Sequence, residues 1–186
     1  MNFRLRPVVA VDVDGVLRVA PSVGGKTTAA AKSSVRITMH RNAYPTYLHR
    51  EPEWDSNDEW IARHWFSDAG VSWVRDLLSR DIDVVWATTW QRFANVYFAK
   101  ALRLPELPVA VQGPGKVGES SSTWKVWQLS RQFDGRPLLW VDDTPVTSRQ
   151  MWLENLRRRS DRILTHFHRI YDPFVGITQC DVAEMD

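Results

Sequence analysis

The sequence predicts an α/β fold: a Rossmann-like parallel sheet with helices on both faces and a small hairpin or loop flap inserted after the first strand. Three observations predict it. Short, apolar, β-branched runs alternate with segments of helical periodicity along most of the chain. Three of those runs end in polar residues of a restricted kind: Asp12 and Asp14, then Thr88 and Thr89, then Asp142 and Asp143. Residues 18–59 break the alternation with loop-forming composition, as an insertion over a core would.

Residues 8–11, Val-Val-Ala-Val, read as a buried parallel strand. In the insertion, Pro21-Ser22-Val23-Gly24-Gly25 is loop-like, 35–39 and 46–49 are expected to pair as a hairpin across 41–45, and 52–57 is loop again. Residues 60–66 and 70–80 are read as helical, the second on the spacing of Val71, Val74, Leu77 and Leu78. A second strand is expected at 84–87, a helix at 93–102 with Pro105 beyond it, and a short third strand at 109–111. A helix over 120–133, a fourth strand at 138–141, a helix over 148–158 and a fifth strand at 163–167 follow. Residues 171–186 are read as loop with a short helix. The whole chain, 1–186, is expected to be one domain, with 18–59 as a small cap within it.

Composition narrows the class. An apolar fraction of 44% and a charged fraction of 25% are those of an ordinary globular protein able to bury a core unaided. The lone cysteine, Cys180, has no partner for an internal disulfide, so a reducing, cytoplasmic setting is expected. No apolar run reaches membrane-spanning length, and Met1 to Pro7 is read as leading straight into the first strand rather than as a signal peptide. No membrane association and no obligate protein partner are expected. A net charge of +2 argues against coating nucleic acid in bulk but leaves room for a local basic groove. The cations are mostly arginine, which favours planar anions such as phosphates. Ten tryptophans is a high count, and Trp86, Trp90, Trp140 and Trp152 follow core patterns.

Parallel strands present their carboxyl ends on one rim, where ligands of open α/β sheets bind. Asp12, Asp14, Asp142 and Asp143 would therefore converge and repel. A divalent cation relieves that cost, and hard oxygen donors with few protein groups suit Mg²⁺. Asp and Thr also begin turns at strand ends, which accounts for one such end but not for three with paired acids on two.

Val8-Val-Ala-Val-Asp12-Val-Asp14-Gly15-Val-Leu resembles the first motif of the haloacid dehalogenase (HAD) superfamily, an apolar strand followed by Asp-x-Asp-Gly. Trp86-Ala87-Thr88-Thr89-Trp90 resembles the second motif, Lys125 fits the third, and Leu138-Leu-Trp-Val-Asp142-Asp143 the fourth, in the right order over residues 8–143. Ala94-Asn95 and Asp172-Pro173-x-x-Gly176-Ile177-Thr178 are similar to segments of small bacterial and phage HAD proteins, some of which sit beside RNA-repair modules.

The resemblance implies a HAD-type phosphatase, a Mg²⁺-dependent phosphomonoester hydrolase. Asp12 would attack phosphorus to form an aspartyl-phosphate. Asp14 would act as general acid and then base, and its backbone carbonyl would ligate the metal. Thr88, with Thr89 as its rival, would bind a phosphate oxygen. Gly15 would permit the sharp turn, and Lys125 would neutralise the nucleophile and the phosphoryl group. Asp142 and Asp143 would hold Mg²⁺, directly or through water. Lys116, in Gly113-Pro114-Gly115-Lys116-Val117-Gly118, is the other candidate lysine.

The insertion carries Arg36, His40, Arg41, Tyr44, Tyr47, His49 and Arg50. Arg36 and Arg41 are its candidate substrate-binding residues. Interleaved basic and aromatic side chains suit a nucleotide or nucleic-acid end, and equally an ordinary solvated hairpin. The expected partner is thus a phosphorylated small molecule or a nucleic-acid end. The alternative is a catalytically silent HAD-fold binding protein or a nucleic-acid-end interaction subunit. Three features are set aside. Gly24-Gly25-Lys26-Thr27-Thr28 lacks the first glycine of a phosphate-binding loop, since position 20 is Ala20. His166 and His168 share a strand face with no third ligand, and Arg157-Arg158-Arg159 with Arg162 reads as a solvated helix end.

Overall fold

The computed structural model describes residues 6–19, 32–45, 52–113, 121–143, 159 and 164–186, with backbone alone at 121–123. Its strands in chain order are β1 (Val8–Val11), β2 (Arg18–Val19), β3 (Lys32–His40), β4 (Glu59–Ser67), β5 (Asp83–Trp86), β6 (Leu138–Asp142) and β7 (Thr165–Arg169). They form two sheets. One is four-stranded and wholly parallel in the order β5-β1-β6-β7, and the other is antiparallel in the order β2-β4-β3. The helices are α1 (Asp68–Ser79), α2 (Ser121–Gln132) and α3 (Gln179–Met185), with a π-helical segment at Ala94–Ala99.

Why the parallel sheet is sandwiched follows from its side-chain alternation. Val9 and Val11 of β1 join Val84, Trp86 and Val141 in one core, against Val71, Trp73, Val74 and Leu77 of α1 and Tyr97 and Phe98 of the π-helical segment. Val8 and Ala10 join Val85, Leu138 and Trp140 in a second core, against Trp124, Val126 and Leu129 of α2. All four residues of β1 are buried, so its run lacks the polar alternation of a one-sided strand. Each valine buried there contributes about 1.5–3 kcal/mol.

Several expectations are corrected. Residues 60–66 are not helical: they lie in β4, which pairs with β3 along its whole length, from Lys32 opposite Ser67 to His40 opposite Glu59. The strand runs into α1 without a loop because Ser67 is both the last strand residue and the helix N-cap, its Oγ accepting from Gly70 N at 3.0 Å. The hairpin partner of β3 is therefore β4, and residues 46–49 lie outside the described residues. The third strand at 109–111 shrinks to one parallel bridge between Trp86 and Val109, next to Pro108, which has no N–H for a ladder. The helix at 93–102 has a π-helical middle. The fifth strand begins two residues late, at Thr165. The helix at 148–158 lies outside the described residues.

Among the described residues no helix is long and apolar enough to cross a membrane.

Candidate active site

The chain leaves β1 for β5 on one side and later crosses to β6 on the other. The crevice of this sheet therefore lies beyond the carboxyl end of β1. Asp12 follows β1 directly, its N–H bonded to Val141 O at 3.0 Å, while Asp142 ends β6. Between them lies Lys125 of α2. Its Nζ donates to Asp12 Oδ2 at 2.5 Å and to Asp142 Oδ2 at 2.8 Å, and the residue is 1% exposed. Asp12 Oδ1 accepts from Val13 N at 2.6 Å, so both carboxylate oxygens are oriented.

Carboxylate oxygens of Asp12, Asp142 and Asp143 all lie within 4.8 Å of one another. Burial, opposed by Lys125 and reinforced by Asp142 and Asp14, pushes the Asp12 carboxyl up to about 8. Burial and then the charge of Asp142 push Asp143 up to about 6. Burial works to strip Lys125 of its proton, but Asp12 and Asp142 outweigh it and hold the ammonium charged. Three carboxylates against one ammonium leave two negative charges when all are ionised. An all-oxygen set with that excess fits a hard divalent cation.

Asp14 stands apart from this cluster. Its side chain is turned to the antiparallel sheet: Arg18 Nε donates to Oδ1 at 2.5 Å and Trp90 Nε1 to Oδ2 at 2.8 Å. The metal role expected of Asp14 is through its backbone carbonyl, on which these side-chain bonds do not bear. Arg18 itself lies over the rings of Trp90 (5.2 Å) and Phe98 (5.4 Å), and its Nη1 is 3.2 Å from His64 Nδ1. Burial and the adjacent Arg18 lower His64 to about 4. The neutral ring accepts at Nδ1, which places its proton on Nε2.

Gly15 turns the chain with φ of +70°, and a Cβ there would collide with the Asp143 carboxylate and approach Pro173 Cβ to 2.8 Å. A glycine is needed for both reasons. The Asp172-Pro173-x-x-Gly176-Ile177-Thr178 segment forms this wall. Ile177 N bonds Val16 O at 3.0 Å, and Ser67 Oγ donates to Ile177 O at 2.5 Å. Thr88 is fully buried two residues beyond Trp86, the register partner of Val11, and so lies on the rim beside Asp12. Its Oγ1 accepts from Trp90 N at 3.3 Å. Thr89 is half-buried in the same turn.

The structure brings neither insertion arginine to the carboxylates among the described residues. Arg36 is exposed on β3 directly opposite Arg63, and Arg41 pairs with Asp58 at 3.3 Å. Lys116, Arg157, Arg158, Arg162, Trp152 and the 24–28 loop lie outside the described residues. Arg159 is not solvated: it is buried, donating to Thr165 Oγ1 at 3.0 Å and to Arg136 O at 2.5 Å. His168 is tied to Asp181 at 2.8 Å, as a structural histidine is. Cys180 is exposed and free.

Sequence reasoning missed Arg18, His64, Trp90, Arg63 and Trp65 as site residues. Arg18, four residues after Asp14 on a tight turn, was the available signal. Trp90 closed the Trp86–Trp90 motif but read as core, and the β4 residues carry no signal without the register of that strand.

A scan against protein-family models, a search of curated proteins and a search of solved structures returned no match for this chain.

Proposed function

We propose that the chain is a Mg²⁺-dependent phosphomonoester hydrolase that works through an aspartyl-phosphate on Asp12, with a nucleotide or nucleic-acid terminal phosphate as its substrate. The observation that carries this reading is the buried Lys125 bridging Asp12 and Asp142 beside Asp143 at the crevice of the sheet. A lysine so enclosed by carboxylates is costly for stability alone. With its net negative charge the cluster suits a site that takes a divalent cation and, beside that cation, a phosphoryl group.

An oxygen of Asp12 attacks phosphorus as the ester P–O bond breaks, and Asp14 gives its proton to the leaving oxygen. Asp14 then takes a proton from the water that cleaves the aspartyl-phosphate, releasing inorganic phosphate and restoring Asp12. Lys125 keeps Asp12 oriented and offsets charge on the transferring group, and Thr88 offers its hydroxyl to a phosphate oxygen. Arg18 and Trp90 fix the direction of Asp14. Asp12, Asp142 and Asp143 would hold Mg²⁺, which when bound supplies charge neutralisation of the phosphoryl oxygens.

The test is phosphate release from a panel of phosphomonoesters, including nucleotides and 3′- and 5′-phosphorylated oligonucleotides, with Mg²⁺, with EDTA and with Asp12→Asn. Release that needs the metal and vanishes in the variant is expected. Release that survives either treatment would place the chemistry elsewhere. A wild type that binds one panel member but turns over none would instead be a binding protein.

A further inference from the structure

A recess of 380 Å³ opens beside the proposed phosphoryl site, lined by Asp14, Gly15, Arg18, Arg63, Trp65 and Phe174 among others. Arg63 and Trp65 lie two apart on β4, so they share one face of the antiparallel sheet, opposite to buried His64 and Phe66. Arg63 is exposed and stands directly across from exposed Arg36 on β3. Like charges directly opposite on neighbouring strands repel and weaken the sheet. Elsewhere on the same hairpin that problem is solved locally, since Arg41 has Asp58 and His40 has Glu59. Among the described residues neither Arg36 nor Arg63 has a carboxylate partner, and Arg63 Nη1 reaches only Ser34 Oγ, at 3.3 Å. Next to this pair, Trp65 is half-buried and Phe174 is 40% exposed.

We propose that Arg63 and Arg36 form a subsite for a second anionic group on the substrate. The substrate is then a nucleoside phosphate with a further phosphoryl group. One phosphate meets Asp12, the flat base lies against Trp65 and Phe174, and the other phosphate is held by the two guanidiniums. The inference rests on the phosphomonoesterase reading and deepens it. Arg63 and Asp14 line the same recess, and Arg36 stands one strand beyond Arg63. Paired guanidiniums suit phosphate oxygens, and aromatic faces accept any base. A nucleoside bisphosphate and the phosphorylated end of a strand share this chemistry.

The test compares kcat/KM for a nucleoside 5′-monophosphate, a nucleoside 3′,5′-bisphosphate and a 5′-phosphorylated dinucleotide, with p-nitrophenyl phosphate as the baseline. The substrates with a second anion are expected to exceed the monophosphate by roughly tenfold or more. That ratio should shrink at high salt and fall towards one in Arg63→Gln and in Arg36→Gln, both exposed changes. Whether bisphosphate or dinucleotide gains more distinguishes the two sources. Equal values for all three nucleotides, or a ratio that Arg63→Gln retains, would overturn the subsite. A wild type inert on all four compounds would sink the phosphomonoesterase reading by itself. Calorimetric binding of bisphosphate against monophosphate to the same protein would then still decide the subsite, and equal affinities would overturn it.

Discussion

Lys125 has Asp12 and Asp142 as its acidic neighbours and almost no contact with water. Removing its charge leaves two buried carboxylates facing each other, so Lys125→Met is expected to cost about 3–5 kcal/mol. Urea unfolding measures it, and a loss under about 1 kcal/mol would show that the carboxylates are balanced by something else. Asp14 invites a finer test. Arg18 and Trp90 hold both its oxygens, so Arg18→Gln and Trp90→Phe should misalign the proton donor without touching Asp12. Alkyl phosphates need that proton and p-nitrophenyl phosphate scarcely does. The variants should therefore lose roughly tenfold or more in kcat/KM, which reads the phosphoryl-transfer step, on the alkyl ester and much less on the aryl one. A uniform loss on both would mean that Arg18 and Trp90 serve only the fold. The motif acids and threonines were legible because each pair lies at the end of an apolar strand on the same rim. This clamp was not, because Trp90 read as core and Arg18 as the edge of a loop.

The antiparallel sheet is where sequence reasoning went furthest astray, for a definite reason. Residues 60–66 abut α1 with no Gly or Pro between them, so strand and helix each read as a segment of helical spacing. The period-2 burial of β4, with His64 and Phe66 inward and Arg63 outward, is a property of its pairing with β3 and is invisible locally. The parallel strands, by contrast, were legible: a short wholly apolar run bounded by turn residues has few other places to go. Ser67 is the joint between the two patterns. Its Oγ caps α1 through Gly70 N and donates to Ile177 O, which ties the Asp172–Thr178 stretch to the wall behind Gly15. Ser67→Ala loses both bonds in a buried setting and should cost about 1–2 kcal/mol. Its urea midpoint should fall, and amide exchange of Ile177 should quicken. An unchanged Ile177 amide would mean that the wall is held by Val16 alone.

Across the whole molecule the acidic cluster and His64 set opposing pH dependences. His64 is lowered to about 4 from 6.5, so its contribution is present above 6.5 and lost as pH falls through 4. Asp143, raised from 3.8 to about 6, contributes stability that is complete below 3.8 and lost as pH rises through 6. Asp12, raised to about 8, does the same over a wider window. Between pH 6.5 and 8 folded His64 is neutral and unfolded His64 sheds only its last half proton. There the slope belongs mainly to Asp12, and the metal-free protein should lose on the order of 2 kcal/mol. A divalent cation binds the ionised carboxylates of Asp12, Asp142 and Asp143 and not their protonated forms. The rise in Tm on adding Mg²⁺ should therefore be larger at pH 8 than at pH 6.5. Asp143→Asn should diminish that rise. Calorimetry in EDTA and in Mg²⁺ at the two pH values reads it without any substrate. A Tm that Mg²⁺ leaves unmoved at both would show that Lys125 alone balances the cluster. That result would remove the metal from the proposed mechanism while leaving the Asp12–Lys125 pair in place.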